Sequence, residues 1–182
     1  KARRILEDEY KAELVSEQEI VEGYWDSKHR LAFVPFKQKW PDSQREKKFG
    51  AADVGVPIGN LEEMYHAFLE ISAKYEQQIL GMTVYNESPN KVSPSISFAI
   101  FVDDSTEERV RNFYGYVREM SLKAVELEGT MSTYIGDGDR LGGFSEHEHG
   151  LGYKYMKDVK ALFDPQNIMN PGKKFESRWI EA

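Results

Sequence analysis

The chain of 182 residues contains no cysteine, which excludes disulfides, thiolate metal sites and a thiol nucleophile and fits a reducing cytoplasm as the expected location. No apolar run approaches the roughly 20 residues a spanning helix needs. The opening Lys1-Ala2-Arg3-Arg4-Ile5 also lacks the apolar core of a signal peptide, so a protein without a transmembrane segment is expected. There is no initiator Met, which suggests processing or a piece of a longer polypeptide. Cationic surface is scarce too: 31 acidic residues face 24 basic ones, a formal charge of -7. Nucleic acid and other polyanions are therefore poor partners. Fixed-period repeats and low-complexity segments are missing as well. What remains, with 40% hydrophobic and 30% charged residues, can bury one core and reads as a single globular domain over 1–182.

The pattern Ser16-Glu17-Gln18-Glu19 before Ile20, Val21, Tyr24 and Trp25 reads as a capping box opening an amphipathic helix to about residue 30. Residues 35–50, with Pro35, Pro41 and several lysines, lack periodicity and read as a solvated, locally basic loop. Val54, Val56 and Ile58 alternate as a short strand. Asn60 then caps a helix whose Leu61, Met64, Tyr65, Phe68, Ile71 and Ser72 share a stripe. Segments 79–84 and 96–102 are expected as an antiparallel pair. Ser105-Thr106-Glu107-Glu108 repeats the capping box before the longest helix, which Gly129 ends. A fourth strand is expected over 131–135, a loop over the glycine-rich 136–143, and a last helix over about 152–163. This order predicts an α+β fold, a mainly antiparallel sheet with helices on one face, on a ferredoxin-like plan. Phe98 and Phe101, on opposite phases of the third strand, suggest that the other sheet face is covered by another domain or subunit.

Chemistry concentrates in Ser145-Glu146-His147-Glu148-His149-Gly150-Leu151-Gly152. If extended, this segment places His147 and His149 on one side and Glu146 and Glu148 on the other. A carboxylate beside an imidazole fixes its tautomer and raises its basicity, as a general base near neutral pH requires. A surface loop with ordinary titratable groups and a divalent-metal site are the alternatives. Asp137-Gly138-Asp139 starts like a calcium loop, but no acidic residue closes it at the expected spacing. The segment 159–173 ends a helix and makes two Pro-directed turns; on the residues alone it is a turn pair anchored by Ile168 and Met169 in the core.

The run Phe163-Asp164-Pro165-Gln166-Asn167-Ile168-Met169-Asn170-Pro171-Gly172-Lys173, with Glu148-His149-Gly150-Leu151-Gly152 before it, resembles the carboxyl-terminal signature of FAD-linked oxidases of the D-lactate and glycolate dehydrogenase type, in the vanillyl-alcohol oxidase superfamily. Asp53-Val54-Gly55-Val56-Pro57 and Gly129-Thr130 also sit where that family has equivalents, and the resemblance covers roughly residues 20–175. It implies a cap, or substrate, domain over a flavin that a separate amino-terminal domain or subunit mainly holds, so the chain alone is expected to bind FAD weakly or not at all. By similarity His149 takes the hydroxyl proton of a small-molecule substrate, with His147 able to share that role, and Glu148 matches an acidic neighbour that ligates metal in some members. Asn170, with Gly172 and Lys173 of the same step, matches flavin-facing positions. Trp25-Asp26-Ser27-Lys28 resembles a Trp-x-x-Arg segment whose arginine holds the substrate carboxylate, so Lys28 or Arg30 substitutes.

The chain departs from the family where metal-using members carry His-x-Gly-Asp-Gly-Asn-x-His: residues 82–95 hold no histidine, so no family-type metal site is expected. Gly136-Asp137-Gly138-Asp139 echoes that motif out of order. The expected function is the substrate side of an FAD-dependent dehydrogenase oxidising a 2-hydroxy acid. A phenolic or aryl alcohol, with Tyr134, Tyr153 and Tyr155 as nearby hydroxyls, and a non-catalytic binding domain are the alternatives. A homodimer is left open.

Overall fold

The computed structural model describes residues 2–31, 48–85, 94–133 and 136–176. The chain divides into two units, Lys1–Glu46 and Lys47–Ala182. The first contains α1 (Ala2–Asp8), with Arg3 and Glu7 paired at 2.9 Å, and α2 (Gln18–Leu31). The helix α2 opens two residues after Ser16, within the usual fraying of helix ends. Its Ile20, Tyr24 and Trp25 are exposed, the last two meeting edge-on with centroids 5.7 Å apart. Most of the loop expected over 35–50 lies outside the described residues, but its end, from Lys48, is already strand.

In the second unit β1 (Lys48–Gly55), β2 (Gln78–Tyr85) and β3 (Ser95–Val102) form an antiparallel sheet in the order β1-β3-β2. Lys48 lies opposite Val102 and Gly55 opposite Ser95. The strand β1 starts earlier than its apolar alternation implied, because Gly50, Ala51 and Ala52 pair by backbone without large side chains. It also ends before Ile58: Pro57 supplies no N–H to a ladder, and Ile58 opens an exposed 3-10 turn, Ile58–Asn60. Then follow α3 (Leu61–Lys74) and, after β3, α4 (Glu107–Glu126). Asn60 precedes α3 as expected, yet its side-chain amide donates to Leu127 O at 2.9 Å and so ties α3 to the end of α4. Thr106 caps α4 by accepting from the Arg109 amide.

Both helices lie on one sheet face. Ala52, Val54, Ile96, Phe98 and Ile100 meet Met64, Phe68 and Ile71 of α3 and Tyr116, Val117 and Met120 of α4. The Phe68 and Phe98 rings are 4.9 Å apart, and the buried Tyr116 hydroxyl donates to Phe98 O at 3.0 Å. Phe101, on the opposite phase, is only 7% exposed, so the expectation that this residue needs cover from another molecule is corrected. Among the described residues of this unit, large exposed apolar side chains line the last helix and also occur on β2, at Ile79, Leu80, Val84 and Tyr85.

The fourth strand is the other correction. Among the described residues its place holds a single antiparallel bridge, Gly55 to Thr130, with both N–H groups donating, at 3.1 and 2.8 Å. The order bridge-β1-β3-β2 keeps the ferredoxin-like plan. Pairing stops there because the next amide, Met131 N–H, donates at 2.7 Å to the Glu148 carboxylate instead of a neighbouring strand. Tyr134 and Ile135 lie outside the described residues.

Candidate functional site

Residues 136–145 carry the chain from the sheet to the histidines. Leu141 is buried in the core, and Arg140 donates to Ala51 O of β1 and to Gly136 O, each at 2.8 Å. Burial pulls the Arg140 pKa down while nearby Asp53, Asp137 and Asp139 oppose it. The glycine-rich loop is thereby bolted to the sheet edge.

The Glu-His-Glu-His segment is a one-turn helix, α5 (Glu146–His149), not the extended run that alternation assumed. Buried Ser145 precedes it, and its carbonyl accepts from the His149 amide at 3.0 Å. At roughly 100° per residue, His147 and His149 therefore project to different sides. His147 is exposed, its ring 4.7 Å from that of Phe144, which in turn carries the Arg118 guanidinium 5.7 Å from its centroid. Glu148 turns back to the bridge, accepting from Thr130 Oγ1 at 2.7 Å as well as from Met131. Its two oxygens thus anchor the helix instead of orienting an imidazole. His149 is half-buried, and no side-chain hydrogen bond ties its imidazole among the described residues. Gly150, at φ 51° and ψ -125°, then breaks the chain direction, and α6 (Leu151–Phe163) follows.

At the far end of α6, Asp164 organises the tail. It is paired with Lys160 Nζ and accepts from the Ile168 and Met169 amides, each at 2.9 Å. The Lys160 ammonium chiefly, and those amides, hold its carboxyl below the usual aspartate range. Ile168 and Met169 are 73% and 62% exposed, so they do not anchor the turns in the core; the carboxylate does. The tail then runs back along α6: Gly172 and Lys173 share a cleft of about 220 Å³ with Lys157, Lys160 and Phe175, and the buried Tyr153 hydroxyl, near the start of α6, reaches Lys174 O and Phe175 O at 3.4 Å.

These contacts sort the expected site residues. The histidines stand at the amino-terminal end of α6, and Asp164 stands at the other, roughly 20 Å away along 13 residues. Gly172 and Lys173 meet in the cleft between helix and tail, and Lys173 Nζ lies 3.6 Å from Asp139. Asn170 is exposed with φ 50°. Lys28 and Arg30 belong to α2 of the first unit, and their side chains lie outside the described residues, as does Tyr134. Sequence reasoning missed Arg140 and Lys174, and it noted Thr130 and Asp137 without their contacts to Glu148 and Lys174. Only Asp164, at a helix end before Pro165, carried a local turn signal.

Where a Cβ would stand on Gly150, Gly152 or Gly172 there is nothing within 4 Å. The backbone at these glycines is thus open to close approach by a ligand. Among the described residues no group of three or more His, Asp or Glu could hold a metal ion, and no helix is long and apolar enough to cross a membrane.

The family model described as FAD linked oxidases, C-terminal domain, matches residues 3–174. The glycolate oxidase subunit GlcD of Bacillus subtilis (strain 168) is 34% identical over 124 residues, 68% of this chain and 25% of that protein. A "Probable D-lactate dehydrogenase, mitochondrial" of Danio rerio is 31% identical over 78 residues, 42% of this chain and 16% of that protein. The chain thus matches a quarter or less of these relatives' length.

Proposed function

Because the chain belongs to the FAD-linked oxidase C-terminal domain family, we propose that it is the substrate-side domain of an FAD-dependent oxidoreductase that oxidises a 2-hydroxy acid of the D-lactate or glycolate type. Both named relatives carry such acids in their names. Bound FAD supplies the acceptor for the α-hydrogen. The chain's own residues handle the proton and the orientation. His149 accepts the substrate hydroxyl proton, and a cation, for which the resemblance offers Lys28 or Arg30, binds the carboxylate. Lys there acts as a point charge and Arg as a bidentate fork. Asn170, Gly172 and Lys173 border the flavin.

The observation that carries this reading is the mounting of His149. Glu148 fixes α5 to Thr130 and Met131, while the neighbouring imidazole, next to the open backbone of Gly150, has no side-chain hydrogen bond among the described residues. A general base needs a rigid support and a nitrogen open to the substrate, and the lack of a side-chain hydrogen bond to this imidazole among the described residues supports that role. His147, exposed and tilted against the Phe144 ring, is the less suited of the pair.

The partner is the amino-terminal FAD-binding domain. Leu151, Tyr155, Val159 and Leu162 recur at helical spacing on α6 and are all exposed, and Phe163, Ile168 and Met169 extend the patch toward Asn170. That continuity with the tail proposed to border the flavin supports this face as the seat of the flavin-carrying domain.

Anaerobic mixing of the full-length flavoprotein with glycolate, D-lactate and aryl alcohols tests the substrate class. Bleaching of the flavin absorbance by a 2-hydroxy acid is the expected result. Bleaching by aryl alcohols alone, or persistent colour with every compound, overturns it, the latter in favour of a non-catalytic binding domain.

A further inference from the structure

The Gly136-Asp137-Gly138-Asp139 motif binds the tail. Lys174 Nζ donates to Asp137 Oδ2 at 2.5 Å across 37 residues, and the Ser145 hydroxyl donates to the same oxygen at 3.4 Å. Lys173 faces Asp139 in the neighbouring register. Consecutive lysines thus meet alternate aspartates. The backbone repeats the arrangement: Lys174 N–H donates to Gly138 O at 2.7 Å, and Gly143 N–H donates to Lys174 O at 3.0 Å, so residue 174 is held from both arms of the loop. A Cβ on Gly142 would lie 2.0 Å from Glu176 O, a separation only glycine permits. Lys174 itself has φ 64°, a left-handed backbone that persists in a non-glycine residue where its surroundings over-determine it.

We propose that Asp137 and Lys174 are positioning residues: their ion pair joins the tail bearing Asn170–Lys173 to the loop that ends at Ser145, so that the tail and the histidine helix α5 move as one body. Ser145 is the link in this coupling, because its side chain reaches Asp137 while its carbonyl holds the His149 amide. The Asp137 side chain is 13% exposed, so water competes weakly for the bond. The inference rests on the proposed site only for its catalytic consequence; the mechanical coupling stands apart from it.

Amide hydrogen exchange on the full-length flavoprotein tests the coupling through one peptide covering 143–150 and another covering 166–176. Asp137→Asn and Lys174→Met each accelerate exchange by about tenfold in both peptides, and the charge-exchanged D137K/K174D variant recovers protection in both. Acceleration confined to one peptide, or absent from both, overturns the proposal. Lys174→Met, at a half-exposed side chain, supplies the reading should Asp137→Asn fail to fold. In steady-state turnover the single variants lower kcat by about tenfold or more with KM little changed, as expected when a base is displaced and substrate binding is kept. Coupled exchange with no turnover of any hydroxy acid by the unaltered protein defeats the functional reading and leaves the clasp standing.

Discussion

Thr130 and Glu148 are joined by a 2.7 Å hydrogen bond in which the threonine hydroxyl donates to the carboxylate. Thr130 is also the residue that bridges to Gly55 at the end of β1. The position of the histidine helix is therefore referred directly to the sheet.

Glu148→Ala leaves the Thr130 hydroxyl and the Met131 amide without their acceptor. The expected loss is about 1–3 kcal/mol of stability. Glu148→Gln, which keeps one acceptor oxygen, loses less. Urea unfolding of the two variants, compared by midpoint at unchanged slope, measures the difference. Equal midpoints for Ala and the parent would show that the anchor carries no stability.

Asp164 gives the tail a pH dependence of known sign. Its folded-state pKa is depressed, so its contribution is fully present above the unfolded value, about 4, and is lost as pH falls through the lower folded value. Exchange of the Ile168 and Met169 amides, which donate to this carboxylate, is expected to gain an acid-dependent opening below that range. Asp164→Asn is expected to weaken the anchor already at neutral pH. Protection independent of pH would contradict this.

Leu162 and Phe163 are 76% and 77% exposed. Leu162→Glu therefore changes the stability of the unit that carries it by no more than about 0.5 kcal/mol. In the full-length protein the same change opposes docking of the flavin-carrying domain, and flavin release on gel filtration is the expected sign. Undiminished flavin retention would place the docking face elsewhere.

Tyr116→Phe removes the hydroxyl that donates to Phe98 O in the core. A cost of about 1 kcal/mol is expected. Burial also pushes the Tyr116 pKa up, so the phenol stays protonated in the folded protein. An unchanged urea midpoint would show that the bond contributes nothing net.

Helical periodicity made α3, α4 and α6 readable because each buries or displays one stripe, and Thr106 and Asn60 marked two of the starts. The central strand β3 was readable for the same reason at a period of two. What sequence could not provide was long-range pairing. Glu148 looked like an imidazole's partner by adjacency, while its contacts, Thr130 and Met131, lie 18 and 17 residues away. Those contacts also end the expected fourth strand. Ile168 and Met169 looked like core anchors by polarity, but Asp164 and Lys160 do that work from within one helical turn. Asp137 and Asp139 had no visible role until the tail returned to them.

His149 is the group on which the account depends. In the full-length flavoprotein, His149→Gln should leave the flavin bound and its visible spectrum intact. The rate of anaerobic bleaching by the best 2-hydroxy acid should fall by about 10²-fold or more, as loss of a general base requires. A variant that bleaches as fast as the parent would contradict the assignment.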